Sequence, residues 1–192
     1  QHLWRDGVVT AIGVPTDTIA TRQVVERFGY IRTTIFGELW EFGSDGAYDD
    51  TASTPLEITP HTDGTYSHDA PGLLALHCLV YEATGGENVF VDSHAIASRL
   101  SPAALDTLST TDIPGQYIGD GAHLMSSRPA LRHVGGQLVQ VSYNHHDRAP
   151  FVLPEPEMSR LYAALFEFDA LANDPALQFE LAMRPGDMVL FD

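Results

Sequence analysis

Lysine is absent from the chain: all ten basic residues among its 192 are arginine, against 26 acidic residues, for a net charge of −16. A surface of that sign repels phosphate backbones and anionic headgroups, which argues against nucleic acid or a membrane as partner. It suits a small cationic substrate, whose encounter rate a negative field raises. Solubility alone is the other reading, and composition leaves the two open. Cysteine is nearly absent as well. The lone Cys78 excludes an internal disulfide and fits a reducing, cytoplasmic setting. It lies in the apolar run Leu73-Leu74-Ala75-Leu76-His77-Cys78-Leu79-Val80, which predicts a buried, unreactive thiol. No apolar run reaches the roughly 18 residues of a membrane-spanning helix, and the first residues show no signal-peptide pattern.

What is present is enough apolar residue content, 44%, to build one well-packed domain. Gly7-Val8-Val9-Thr10-Ala11-Ile12-Gly13-Val14-Pro15 reads as a short buried strand. Thr16 or Asp17 can cap a helix running to Phe28 and closed by Gly29. Residues 44–55 are polar and turn-rich, and Leu56-Glu57-Ile58-Thr59 reads as a strand. The apolar strand 73–80 and Asn88-Val89-Phe90-Val91-Asp92 suggest a hairpin bent at Gly85-Gly86. Helices are predicted over 94–100, from the Ser101-Pro102 cap to 108, and over 158–172. Residues 115–136 are glycine-rich and read as irregular. Alternating strands follow at 137–143 and 177–181, and a last strand at 188–191. Short strands with a few covering helices point to a sandwich or barrel with inserted helices.

The chemistry-bearing stretch is Pro60-His61-Thr62-Asp63-Gly64-Thr65-Tyr66. On extended backbone, side chains two apart leave the same face, so His61 and Asp63 present an imidazole and a carboxylate side by side. That is two thirds of a 2-His-1-carboxylate iron site, whose open positions take a co-substrate and oxygen. With nine histidines and 16 aspartates, chance supplies about 0.75 such His-x-Asp triplets. The chain has two, the second being His145-His146-Asp147, and spacing alone does not choose between them. Among the other histidines, His77 reads as a hydrogen-bonded core residue. His68 and His94 read as surface or supporting residues.

Several blocks fall in one order and spacing. They are Phe36-Gly37-Glu38-Leu39-Trp40, Pro60-His61-Thr62-Asp63, Pro71-Gly72 with Leu76-His77-Cys78-Leu79, and Gly85-Gly86-Glu87-Asn88 with Val91-Asp92. Tyr143-Asn144-His145-His146-Asp147-Arg148-Ala149 and Pro185-Gly186-Asp187 with Phe191-Asp192 complete the set. Together they resemble the iron- and 2-oxoglutarate-dependent oxygenases related to taurine dioxygenase, in the branch of trimethyllysine and γ-butyrobetaine dioxygenases. The resemblance covers nearly all of the chain. It implies a mainly β fold with covering helices around a double-stranded β-helix (jelly-roll) core, in a single catalytic oxygenase domain over residues 1–192. Implied cofactors are Fe(II) and 2-oxoglutarate; implied partners are O2, a small-molecule substrate, and a second copy, since relatives often form dimers.

By the same resemblance, His61 and Asp63 match the metal pair, and His145 and Asp147 match a strand end lining the substrate pocket. Leu76 and Asn88 match positions beside 2-oxoglutarate; relatives usually have Ser or Thr where Asn88 stands. Phe36 and Trp40 match members of an aromatic cage for a trimethylammonium group, which gains up to ~2 kcal/mol or more over such faces when desolvated. γ-Butyrobetaine dioxygenase has tyrosine at the Phe36 position. A further cage tyrosine is replaced by Ser53, with Tyr48 or Tyr66 as substitutes. Tyr143, Asn144 and Arg148 match the pocket wall, where Arg148 can pair with an anionic substrate end. The family's second metal histidine and its 2-oxoglutarate-gripping arginine follow the Phe-Asp pair. Gln1 opens the chain without a methionine and Phe191-Asp192 ends it directly after a strand-like run, so both ends read as cut. No histidine follows His146, and the third ligand is expected beyond Asp192 or replaced by another residue. The expected activity is hydroxylation of a C–H in trimethyllysine, γ-butyrobetaine or a related betaine or phosphonate, with release of succinate and CO2. The alternatives are hydroxylation of a sulfonate, phosphonate or other small acid, and a non-catalytic jelly-roll binding protein.

Overall fold

The structure is a computed structural model that describes residues 2–43, 58–82, 84–119 and 121–192. Its elements in chain order are α1 (His2–Asp6), β1 (Val8–Ala11), α2 (Thr18–Val25), β2 (Leu74–His77), β3 (Asn88–Val91), α3 (Ser93–Arg99) and α4 (Pro102–Thr110). Then come β4 (Asp112–Gly119), β5 (Ala122–Pro129), β6 (Leu131–Val134), β7 (Gln137–Val141), α5 (Glu157–Ala172), β8 (Gln178–Leu181) and β9 (Met188–Phe191). Short strands in small sheets are accompanied by a similar length of helix. No helix among the described residues is long and apolar enough to cross a membrane. The chain divides into two compact units: Gln1–Thr59 with Gly72–Asn88 and Leu181–Asp192, and Pro60–Pro71 with Val89–Glu180.

The first unit is organised by β9, which pairs antiparallel with β1 on one side and β2 on the other. Its Met188-Val189-Leu190 run is buried throughout, at 0–3% exposed. A strand apolar on both faces belongs in the middle of a sheet, where both faces are covered. This corrects the hairpin expected between the apolar strand and residues 88–92: β2 takes β9 as neighbour, and β3 takes β8. Gly85 and Gly86 do adopt positive φ, but no pairing of β2 with β3 accompanies them among the described residues. Helix α2 starts where Asp17 Oδ1 accepts from the Ala20 amide at 2.8 Å. It ends at Val25 rather than Phe28, and Ala20 joins Val14, Met188 and Leu190 in a small core. The Cys78 thiol is half-buried and its pKa is raised, chiefly by burial and then by Asp187.

The second unit holds the larger core. On α5, Leu161, Ala164, Leu165, Phe168 and Ala172 are buried, a spacing of three, four and seven that makes one continuous apolar stripe. The stripe packs with Ile96 of α3, Ala104 and Leu108 of α4, and Leu131 of β6. Leu161, Leu108 and Leu131 are 0% exposed, so truncating any one to alanine would cost about 2–5 kcal/mol. Helix α3 is capped by Asp92, which accepts from the amides of His94 and Ala95. Helix α4 is capped by Ser101, whose hydroxyl also donates to Glu167 of α5 at 2.8 Å. The stretch expected to be irregular, 115–136, instead carries the hairpin of β4 and β5, paired from Asp112↔Pro129 to Gly119↔Ala122. Its glycines and prolines hide the alternation, and backbone pairing over eight residues supplies what the sequence pattern lacks.

The loop predicted at 44–55, with Tyr48 and Ser53, lies outside the described residues, as do Leu56 and Glu57 of the strand expected at 56–59. Ile58 and Thr59 carry no regular structure.

Candidate metal-binding segment and its surroundings

The second unit presents residues 60–71 as a segment without helix or strand, fixed to its neighbours at two points. The first is Thr62. Its amide donates to the Tyr143 carbonyl at 2.7 Å, and its hydroxyl accepts from the Tyr143 amide at 2.8 Å. With Thr62 turned to that side, the flanking side chains leave the other, and His61 Nε2 stands 3.2 Å from Asp63 Oδ1. The second point is Ser67, whose carbonyl accepts from Arg128 of β5; Arg128 also donates to Ser126 Oγ at 2.8 Å. Burial lowers the Arg128 pKa, with Asp69 opposing the shift. Between the two points Gly64 turns the chain at φ +69°, where a Cβ would meet Pro71 Cδ at 2.9 Å. Only glycine suits both demands.

Two donors about 2.1 Å from one ion and at a right angle stand about 3 Å apart. The 3.2 Å between His61 and Asp63 fits two adjacent corners of an Fe(II) site. Their side chains are 31% and 54% exposed, so an ion can reach them. Among the described residues no group of three metal-ligating side chains is assembled.

The second triplet has the same residues and a different geometry. Residues 145–147 form a turn, so the period of two is lost. Asp147 Oδ2 accepts from Asn144 Nδ2 at 2.9 Å. His145 Nε2 lies 2.5 Å from the Tyr143 hydroxyl and 3.3 Å from Asp169 Oδ1. The imidazole and carboxylate thus serve separate partners.

Tyr143 is 5% exposed, and its ring packs 4.4 Å from that of Phe168 and 4.7 Å from that of His145, centroid to centroid. Its hydroxyl donates to Asp169 Oδ1 at 2.8 Å. Burial, then that carboxylate, pushes the phenol well above its ordinary pKa. Asn144 and Arg148 line a small cleft with Thr65, Ile113, Pro114, Gly115 and Ser142. The Arg148 guanidinium sits 5.3 Å from the Tyr162 ring centroid. Tyr66 packs on Tyr117 of β4 at 5.2 Å. Tyr117, Arg128 and Asp169 escape sequence reasoning: each acts through a partner distant in the chain, and no local motif marks it.

The remaining sequence-predicted residues, His68 and His94 apart, belong to the first unit. Phe36 and Trp40 stack at 5.2 Å with planes 24° apart, and Phe42 adds a third ring 5.1 Å from Trp40. Phe36 lies in a turn closed by the Thr34–Gly37 hydrogen bonds. Glu38 beside it bonds Arg22 of α2 at 2.8 Å. Leu76 is half-buried on β2 opposite Val189, and Asn88 opens β3. His77 Nδ1 lies 2.7 Å from Thr21 Oγ1, while His68 and His94 are exposed.

This geometry can be set beside known proteins. The chain is 33% identical to a trimethyllysine dioxygenase of Meyerozyma guilliermondii, over 99% of this chain and 50% of that protein. It is 30% identical to the γ-butyrobetaine dioxygenase of Pseudomonas sp. (strain AK-1), over 97% of this chain and 50% of that protein. It thus spans about half the length of these curated relatives. Its fold matches the crystal structure of a proposed α-ketoglutarate-dependent taurine dioxygenase from Burkholderia xenovorans. That match has a TM-score of 0.72 at 14% identity and covers 99% of this chain and 70% of that one. The family model described as "Taurine catabolism dioxygenase TauD, TfdA family" matches residues 1–192. With that match over its whole length, the chain belongs to the TauD/TfdA dioxygenase family.

Proposed function

We propose that the protein carrying this chain is an Fe(II)- and 2-oxoglutarate-dependent dioxygenase. It would hydroxylate a C–H of a small quaternary-ammonium compound such as trimethyllysine or γ-butyrobetaine, releasing succinate and CO2. The observation that carries the proposal is the 3.2 Å approach of His61 Nε2 to Asp63 Oδ1, in a chain matched along its whole length by a dioxygenase family. The names of the relatives at 30–33% identity support the substrate class. The fold likeness supports a jelly-roll core within one oxygenase domain.

In this reading His61 and Asp63 hold the iron as ligands and do no acid–base work. Iron with 2-oxoglutarate and O2 supplies the oxidising power for an unactivated C–H. Residues of the first unit have their own tasks. Phe36 and Trp40 offer stacked faces to a trimethylammonium group, and Leu76 and Asn88 are assigned to 2-oxoglutarate. In the second unit, Arg148 and Asn144 orient a carboxylate end at the cleft they line, with Tyr66 and Tyr143 as walls.

A second reading takes a sulfonate, phosphonate or other small acid as substrate. Arg148 favours it: its described contact is the face of Tyr162, which leaves the guanidinium able to take an anion. Both readings are tested by succinate release from the full-length protein with Fe(II), 2-oxoglutarate and a panel of betaines, sulfonates and phosphonates. Turnover of a trimethylammonium compound supports the first reading, and turnover of the acids alone supports the second. No turnover with any member sinks the activity.

A further inference from the structure

The His61-Thr62-Asp63 triplet is shaped by residues outside it. Thr62 decides on which side of the backbone His61 and Asp63 emerge, and Tyr143 decides where Thr62 sits, through hydrogen bonds of 2.7 and 2.8 Å in opposite directions. Tyr143 in turn has a fixed position for a physical reason. Its ring is wedged between Phe168 and His145, and its hydroxyl donates to Asp169 Oδ1 at 2.8 Å. With that proton committed to Asp169, the 2.5 Å contact to His145 requires Nε2 to be the donor. Asp169 is held by Asn173, whose Nδ2 donates to its Oδ1 at 3.1 Å and its backbone carbonyl at 2.9 Å. It follows Phe168 on α5, the helix whose apolar stripe fills the core.

We infer that Asp169 is a positioning residue for the His61/Asp63 pair, acting through Tyr143 and Thr62. The load runs from a core helix to a side-chain carboxylate, to a buried phenol, to the backbone of Tyr143, and then to the middle residue of the triplet. Without the carboxylate the phenol has lost its acceptor inside a nearly closed environment, and it must turn or draw in water. Either response moves the residue 143 backbone against which Thr62 is registered. A metal-binding pair carried on irregular backbone needs such support, since a loose supporting shell is felt directly in metal affinity. The inference rests on the metal-binding reading of His61 and Asp63.

The test compares the full-length protein with its Asp169→Ala, Asp169→Asn and Tyr143→Phe variants by two readouts. The first needs no metal: NMR hydrogen exchange at the Thr62 amide, with the amide of the fully buried Leu108 as reporter of global opening. Asp169→Ala and Tyr143→Phe should speed exchange at Thr62 about tenfold relative to Leu108, and Asp169→Asn, whose amide oxygen still accepts from the phenol, should restore it. Equal acceleration at both amides, or none at Thr62, overturns the inference by showing a general packing role. The second is Co(II) titration followed by the visible d–d bands. Asp169→Ala should weaken binding about tenfold and alter the band shape, with Asp169→Asn close to the parent. Unchanged affinity and spectrum in Asp169→Ala overturn the positioning role while leaving the metal site intact. A full-length parent that binds no Co(II) overturns the metal reading and this inference's functional half together, and the exchange data then still decide the mechanical link. Should Asp169→Ala fail to fold, Tyr143→Phe carries the same two comparisons.

Discussion

Gly115 on β4 lies so close to Thr65 that a Cβ built on it would stand 2.7 Å from the Thr65 carbonyl carbon and oxygen, and 2.9 Å from its hydroxyl. Thr65 follows Asp63 by two residues and is 8% exposed. This contact therefore sets how closely the His61–Asp63 segment lies on the β4–β5 hairpin. A glycine is needed for room, not for backbone freedom. Gly115→Ala should destabilise the protein by about 1–3 kcal/mol, read as a fall in melting temperature of about 2–4 °C per kcal/mol. An unchanged melting temperature would remove the contact from the account.

The turn after the metal pair makes a different demand. Gly64 has φ +69°, and a Cβ added there would stand 2.9 Å from Pro71 Cδ. Gly64→Ala meets both a disfavoured backbone region and a clash, so a loss of about 1–2 kcal/mol is expected from the conformation alone. Because the displaced residue adjoins Asp63, Co(II) affinity should fall along with thermal stability. Normal affinity in a destabilised variant would show that the turn is structural only.

The two His-x-Asp triplets make opposite predictions. His61→Ala and Asp63→Ala should each weaken Co(II) binding by at least about tenfold, while Asp147→Ala changes it little, since Asp147 is occupied by Asn144. Visible-band titrations on the three variants decide this. Loss of binding in Asp147→Ala with retention in Asp63→Ala would reverse the assignment.

Alkaline pH offers a test of Tyr143. Its phenol is raised above the ordinary value of 10.0, first by burial and then by Asp169. The folded chain thus keeps a proton that the unfolded chain releases. The stabilisation is complete below about pH 10 and declines as pH rises beyond it. Urea midpoints measured from about pH 8 to about pH 11 should fall more steeply in the parent than in Tyr143→Phe. Parallel slopes would mean that Tyr143 titrates normally.

Local chemistry was legible in the sequence and long-range pairing was not. Asp17 and Ser101 announce their helices because a capping side chain bonds an amide three residues away. The apolar stripe of α5 is visible for a similar reason. The partner of β2 was not visible: β9 lies far along the chain, and the intervening Gly85-Gly86 mimics a hairpin bend. The β4–β5 hairpin was hidden by glycine and proline at positions that backbone pairing tolerates. At the candidate site, spacing named His61 and Asp63 but also His145 and Asp147. What separates them is an extended stretch clasped at Thr62 in one case and a turn in the other. Arg128 and Asp169, which bond Ser67 and Tyr143, have no local signature, because each partner lies far along the chain.

The central place of β9 has a consequence for the order of events in folding. Val8 pairs with Phe191, and Leu74 pairs with the same residue, so both outer strands of that sheet wait for a partner made long after them. Closing so long a loop is entropically costly before any contact rewards it. The core of α3, α4, α5 and β6 draws instead on the continuous stretch 89–180. It should gain amide protection first during refolding, with β1 and β2 protected last. Pulse-labelled hydrogen exchange would show it, and simultaneous protection of β1 and α5 would count against a sequential order.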